Sequence, residues 1–294
     1  MPELLPLEFI SKTKRLHILA PTELDDLYAR PQLTEDQRIY LFELNKDEQN
    51  IIASNISMAT KIDAIIRLGY FKHKQQFFLF NLHEITDDVN HVMERYFSHA
   101  KLDRYSIGRE AKLKNQQWVL RMTGYTLFSQ AQHASILANK AEKLCRLSVN
   151  PIFIFRELLS EISNKNITRP GYSTLQKIIS AALMTEQKRI SHIFKEHLSA
   201  QEKQQLFKLL NQAENFYAVT LLKQQPKNFK PTAIRQEIEY YEQYQNLYLI
   251  AKRLLPLVDI SKNGVAYYAS LVEHYTVQSL GRIHADQTCP GLSH

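Results

Sequence analysis

Residues 151–164 read PIFIFRELLSEISN, and residues 171–184 read GYSTLQKIISAALM. In the first stretch Phe155, Leu158, Leu159 and Ile162 recur at i, i+3, i+4 and i+7, which is one face of an α-helix. Pro151, after Asn150, suits the first helical position, where the missing N–H costs no hydrogen bond. In the second stretch Leu175, Ile178, Ile179, Ala182 and Leu183 repeat the spacing. A loop over 164–171, containing Pro170-Gly171, joins the two. Period 3.6 rather than 2 decides for helices over strands.

The same periodicity extends outward in both directions. Thr22 and Thr34 read as N-caps, Thr34 with Gln37 as a capping box, and they start helices near 23–29 and 35–44. Asn45 caps a longer helix through Ile51, Ile52, Ile62, Ile65 and Ile66, ending near Gly69. Further helices are predicted from Thr86 to Phe97, over 109–123 around Trp118, Val119 and Met122, and from Ser129 to Leu147. Ser199 with Glu202 makes a second capping box for a helix through Leu210. Pro226 and Pro231 bracket a basic linker, Lys227-Asn228-Phe229-Lys230, and tyrosine-rich helices follow over 232–254 and 264–282. The one strand-like run, Phe77–Leu82, is too short for a sheet. The expectation is an all-α, multi-domain helical array with helix-turn-helix-like modules. Its parts would be 1–100, a basic 101–228, and 229–294 opening a following domain.

The 294 residues include only 7 glycines, well below the usual roughly 7%. Phosphate-cradling loops need glycine where backbone approaches a ligand. No G-x-G-x-x-G and no G-x-x-x-x-G-K occurs, which disfavours dinucleotide and P-loop chemistry. Cys145 and Cys289 lie far apart, excluding a disulfide scaffold or a thiolate zinc site. No apolar run approaches the ~18 residues of a membrane span, and the N-terminus lacks the pattern of a signal peptide. The expected location is cytoplasmic, on the nucleoid when bound to DNA.

Histidine and carboxylate spacings offer no active site. His192 and His197 are five apart, on different faces of a helix, and His83-Glu84 has no second histidine at ligand distance. Asp25-Asp26 and Asp87-Asp88 are adjacent pairs that diverge on a helix and suit first turns, where the dipole favours negative charge. No metal and no cofactor is expected.

Charge is the informative quantity. Residues 1–98 hold 11 Lys/Arg and 15 Asp/Glu, residues 99–230 hold 21 and 9, and residues 231–294 hold 5 and 6. All the excess of the +7 net charge therefore sits in the middle segment. Such clustering is the electrostatic footprint of a protein that sits on phosphates, and equally of a solvated basic surface. Within it the 171–184 helix leaves Tyr172, Ser173, Thr174, Gln176, Lys177 and Ser180 off its apolar stripe, with Arg169 before it and Lys188-Arg189 after it. These side chains hydrogen-bond base edges and phosphates, as in a recognition helix braced by its partner. The loop is longer than the usual three- or four-residue turn, and any helical hairpin shows similar stripes. A second patch, Lys61, Arg67, Tyr70, Lys72, His73 and Lys74, interleaves cations with an aromatic residue. It reads equally as a helix C-terminus whose cations complement the dipole.

Several short stretches in one order resemble transposases of the Tn-three family of replicative bacterial transposons. They are Pro21-Thr22-Glu23-Leu24 with Leu27-Tyr28, Pro31 to Arg38 with Tyr40-Leu41-Phe42, Leu68-Gly69-Tyr70-Phe71-Lys72, and Gln76-Phe77-Phe78. Thr123-Gly124-Tyr125, Arg169-Pro170-Gly171-Tyr172-Ser173-Thr174-Leu175 and Tyr267-Tyr268-Ala269-Ser270-Leu271 continue the resemblance. The resemblance implies an all-helical region that binds double-stranded DNA at the terminal inverted repeats, with the two patches on adjacent modules. It also implies a separate ribonuclease-H-like Asp-Asp-Glu domain using Mg²⁺, none of whose carboxylates transfers to a position here. The chain is thus expected to be the recognition part and not an enzyme, with remaining transposase domains as possible partners. Three alternatives stand beside it: an α-helical protein-interaction scaffold built on residues 240–248 and 267–275, non-specific nucleic-acid binding, and an all-α metal hydrolase around His83, Asp87 and Asp88.

Overall fold

Helix Met58–Lys74 is buried on most sides, with Ile62, Ile65, Ile66, Leu68, Tyr70 and Phe71 all inside. A helix of that kind has to sit inside a ring of other elements. The computed structural model describes residues 16–54, 57–102, 105–210, 212–213, 216–217 and 230–274. In chain order its helices are α1 (Pro21–Tyr28), α2 (Glu35–Leu41), α3 (Lys46–Ala53), α4 (Met58–Lys74), α5 (Thr86–Tyr96) and α6 (Arg109–Thr123). There follow α7 (Gln130–Leu147), α8 (Pro151–Asn164), α9 (Tyr172–His197), α10 (Ala200–Leu210), α11 (Pro231–Val258) and α12 (Lys262–His274). Two two-residue strands, Gln212–Ala213 and Phe216–Tyr217, pair antiparallel. The fold is all-helical.

The chain forms two compact units. One comprises Leu19–Ile136 with Arg156–Leu175; the other contains Leu137–Phe155 and the described residues from Gln176 on, together with residues 16–18. The division passes within α7, α8 and α9.

In the first unit α2, α3, α5 and α6 pack around α4. Gly69 lies where α4 meets Phe42: a Cβ there would run into the Phe42 ring, so the close approach requires glycine. Inside this core sits a charged network. Arg67 Nε donates to Asp63 Oδ2 (2.7 Å), and Asn115 Nδ2 of α6 donates to the same oxygen (2.7 Å) and to the Thr60 carbonyl (3.1 Å). The guanidinium also donates to the Phe78 carbonyl (3.3 Å) and lies 4.7 Å from the centre of the Phe80 ring. These bonds tie α4, α6 and the 77–80 segment together. A second network joins α2 to α5: Arg38 Nε donates to Asp88 Oδ1 (2.7 Å), and the Tyr70 hydroxyl donates to Asp88 Oδ2.

In the second unit Leu137, Ala141, Leu144 and Cys145 of α7 are buried, as are Ile250, Leu254 and Val258 of α11. Burial, with the Glu186 and Glu142 carboxylates nearby, pushes the Cys145 thiol up to about 12.

Helix boundaries follow the caps. In the Thr34–Gln37 box the Gln37 N–H donates to the Thr34 hydroxyl (3.4 Å) and the Thr34 N–H to the Gln37 side-chain oxygen (3.0 Å). Ser199 and Glu202 close theirs at 3.2 and 2.8 Å. Three expectations need correction. The helix expected from Asn45 through Gly69 is two, α3 and α4, because Ser54 turns its hydroxyl back onto the Ile51 carbonyl (2.6 Å) and competes with the helix ladder. Thr22 is not a cap: α1 begins at Pro21, and the Glu23 carboxylate accepts from the Ala20 N–H (3.3 Å). The second helix of the expected pair runs to His197 instead of ending at 184. The run 77–82, too short for a sheet, joins none and enters a 3₁₀ turn at Leu82–Glu84. The linker residues Pro226 to Phe229 lie outside the described residues.

Replacing Arg67 by alanine strands the Asp63 carboxylate in the core and should cost about 3–5 kcal/mol in chemical denaturation. The D63L/R67M pair should recover most of that loss. In a C289S background, Cys145 should stay unreactive toward a thiol reagent at pH 8 until the chain unfolds, because its protonated form persists far above that pH and the sulfur is buried.

Candidate nucleic-acid interface

Within the second unit the outward stripe of α9 contains Lys177, Ala181, Met184, Lys188, His192 and Lys195, all exposed. Steps of three and four residues keep them on one face. The opposite face buries Leu175, Ile178, Ile179 and Ala182. Lys177 and Lys188 are separated by eleven residues, about 16 Å along the axis, and neither has a carboxylate partner among the described residues. His192 pairs with Glu196 (3.1 Å).

Other members of the predicted set are committed inside the protein. Gln176 is buried and its Nε2 donates to the Leu16 carbonyl (2.6 Å), so it cannot read a base edge. Arg169 Nη1 donates to the Leu27 carbonyl (2.8 Å) with the guanidinium 5.9 Å from the Tyr28 ring centre, and burial lowers its pKa. Its own N–H donates to the Gln75 carbonyl (2.9 Å). The Tyr172 hydroxyl accepts from the Leu19 N–H (3.2 Å), and its ring lies 5.8 Å from that of Tyr28. Arg189 holds Glu186 through two bonds (2.8 and 2.7 Å) and donates to the Val258 carbonyl (2.6 Å). Thr174 is half-buried.

The α4 patch dissolves in the same way. Arg67 is the core ion pair already described. Lys74 is buried, its ammonium donating to the Asp26 carbonyl, and burial lowers its pKa. Lys72 bonds the Glu43 carbonyl (3.1 Å) and pairs with Glu48 (3.1 Å). Lys61 is half-buried, without a partner among the described residues. Burial also lowers the His73 pKa, helped by the Lys74 charge. The structure therefore leaves Ser173, Lys177 and Lys188 available on α9. It adds Lys195, which a helix ending at 184 leaves out. The signal for it is the apolar continuation through Ile190 and Phe194, with no breaker before Ser199.

The architecture is that of an all-helical protein with a basic helix face. Residues 18–182 match the family model described as "Domain of unknown function (DUF4158)", so the chain belongs to that family. The domain occurs in transposases of the Tn-three family. No curated protein matches the chain. Among the described residues no helix is long and apolar enough to cross a membrane.

Replacing Gln176 by alanine should unpair the buried Leu16 carbonyl and cost about 1–3 kcal/mol, read as a lower denaturation midpoint.

Proposed function

We propose that the chain binds double-stranded DNA at the terminal inverted repeats of a transposon, as the recognition part of a transposase. The observation that carries this reading is the outward stripe of α9, where Lys177, Lys188 and Lys195 stand without carboxylate partners among the described residues. Lysines about 16 Å apart on one helix can reach phosphates on either side of a major groove roughly 12 Å wide. The family's occurrence in Tn-three transposases supplies the source of the duplex. In this reading the chain contributes recognition, and strand transfer belongs to other residues of the transposase.

A specific feature supports partner contact as a second reading. On α11, Ile234, Tyr241, Tyr248 and Leu255 recur every seven residues and are all exposed. That is the seam a second helix would use, and other transposase domains are the partners it suits.

Fluorescence anisotropy on duplex ends, with the salt varied, tests the first reading. Affinity should fall linearly in log–log form, by roughly 0.9 per neutralised phosphate. K177Q/K188Q should weaken inverted-repeat and random duplex alike and lower the salt slope by about 2. No shift of any duplex at low salt, together with capture of transposase fragments through α11, would favour the second reading.

A further inference from the structure

The unit formed by Leu19–Ile136 and Arg156–Leu175 carries another polar surface, on α6 and the start of α7. Arg109, Lys114, Gln117 and Arg121 are exposed on α6, while Asn115 and Val119 turn inward. Lys114, Gln117 and Arg121 follow one another at i, i+3 and i+7, one outward face. Seven cations of this unit are neutralised: Arg30, Arg38, Arg67, Lys72, Arg95, Arg156 and Lys165 each pair with a carboxylate. Arg109, Lys114 and Arg121 do not, among the described residues. No Asp or Glu occurs between Glu110 and Glu142, so the chain supplies no local counter-charge along this stretch.

The turn that follows α6 is held in place. Gly124 caps α6 in the left-handed region (φ 71°). The Thr126 N–H donates to the Asn166 carbonyl (2.8 Å), the Thr168 N–H returns to the Thr126 carbonyl (2.9 Å), and the Phe128 N–H donates to the Thr168 hydroxyl (2.8 Å). The Ser129 N–H donates to His133 Nδ1 (2.9 Å), satisfying one amide at the start of α7. On this fixed base the first turns of α7 expose Gln130, Ala131, Gln132 and Ser135. Glutamine pairs bidentately with adenine, and an alanine methyl packs on the methyl of thymine. Helix, six-residue loop and a second helix whose first residues are small or amide-bearing resemble, with a longer turn, the arrangement that enters a major groove.

We propose that α6 and the first two turns of α7 form a second duplex-reading module, with Lys114 and Arg121 on phosphates and Gln130 and Gln132 on base edges. The proposal rests on the duplex-binding reading above. It differs in assigning the base contacts to α7, where the amides are exposed, rather than to α9, where Gln176 is spent internally.

The full chain is tested with a mixed-sequence duplex and with duplexes that the wild-type chain selects from a randomised pool. K114Q/R121Q should weaken both and lower the salt slope by about 2, while the charge-keeping K114R/R121K retains binding. Q130A/Q132A should lose roughly tenfold or more on the selected duplex and little on the mixed one, and reselection should return a relaxed sequence. All these side chains are exposed, and thermal melting establishes that each variant is folded. Wild-type chain that binds no duplex overturns the parent reading. Wild-type binding that K177Q/K188Q weakens but K114Q/R121Q leaves untouched overturns this inference alone. Equal losses of Q130A/Q132A on both duplexes overturn the base-reading role of α7.

Discussion

The Asp63 carboxylate, buried in the middle of α4, is the constraint on which the first unit depends. Desolvating a carboxylate is expensive, and the cost is met only when charge and hydrogen bonds both return. Arg67 supplies the charge from one turn along α4, and Asn115 reaches the same oxygen from α6. Arg67 then has donors left, and one goes to the Phe78 carbonyl. Three separate pieces of chain therefore have to be in register at once: α4, α6 and the segment after α4. An apolar core of isoleucines and phenylalanines tolerates sliding; this network does not.

The same network explains what could and could not be read beforehand. Helix spans were legible wherever a local rule sets them. The boxes at Thr34/Gln37 and Ser199/Glu202, the proline start at Pro151 and the apolar stripe around Phe155 depend on neighbours within a few residues. The break between α3 and α4 turns on one serine hydroxyl choosing the Ile51 carbonyl, a choice that leaves no periodic trace. Site residues were less legible because burial is tertiary. Asp63 and Arg67, four apart, look like any surface i, i+4 pair, and only the aromatic residues folded over them decide otherwise. Gln176 lies off the apolar stripe and so reads as a solvent-facing amide, yet it is paired to a carbonyl 160 residues away.

Counting cations by segment carries the same weakness. The middle of the chain holds the positive excess, but a cation bonded to a carbonyl or carboxylate adds little to an outward field. Arg169 and Arg189 are of that kind, spent on Leu27, Glu186 and Val258. Conversely Lys72 and Lys74, in the acidic N-terminal segment, are consumed in docking the chain that precedes α4. What survives is a difference between helices rather than between segments: α6 and α9 keep outward cations, and α4 spends Arg67, Lys72 and Lys74 on acceptors within the unit.

That partition has a physical reason. A cation placed beside a core element has to find an internal acceptor, since an unpaired buried charge costs more than most folds can bear. A cation on the outward face of an amphipathic helix meets water and costs almost nothing to leave unpaired. Unpaired surface lysines are therefore cheap, and their mere presence distinguishes little. The α6–α7 surface differs because its cations adjoin a turn pinned by backbone bonds to Asn166 and Thr168. A ligand that docks there meets backbone already fixed, so the ordering entropy lost on binding is that of the side chains. Free charge gives a polyanion its attraction, and a fixed turn gives it a register; on this unit the two coincide where α6 hands over to α7.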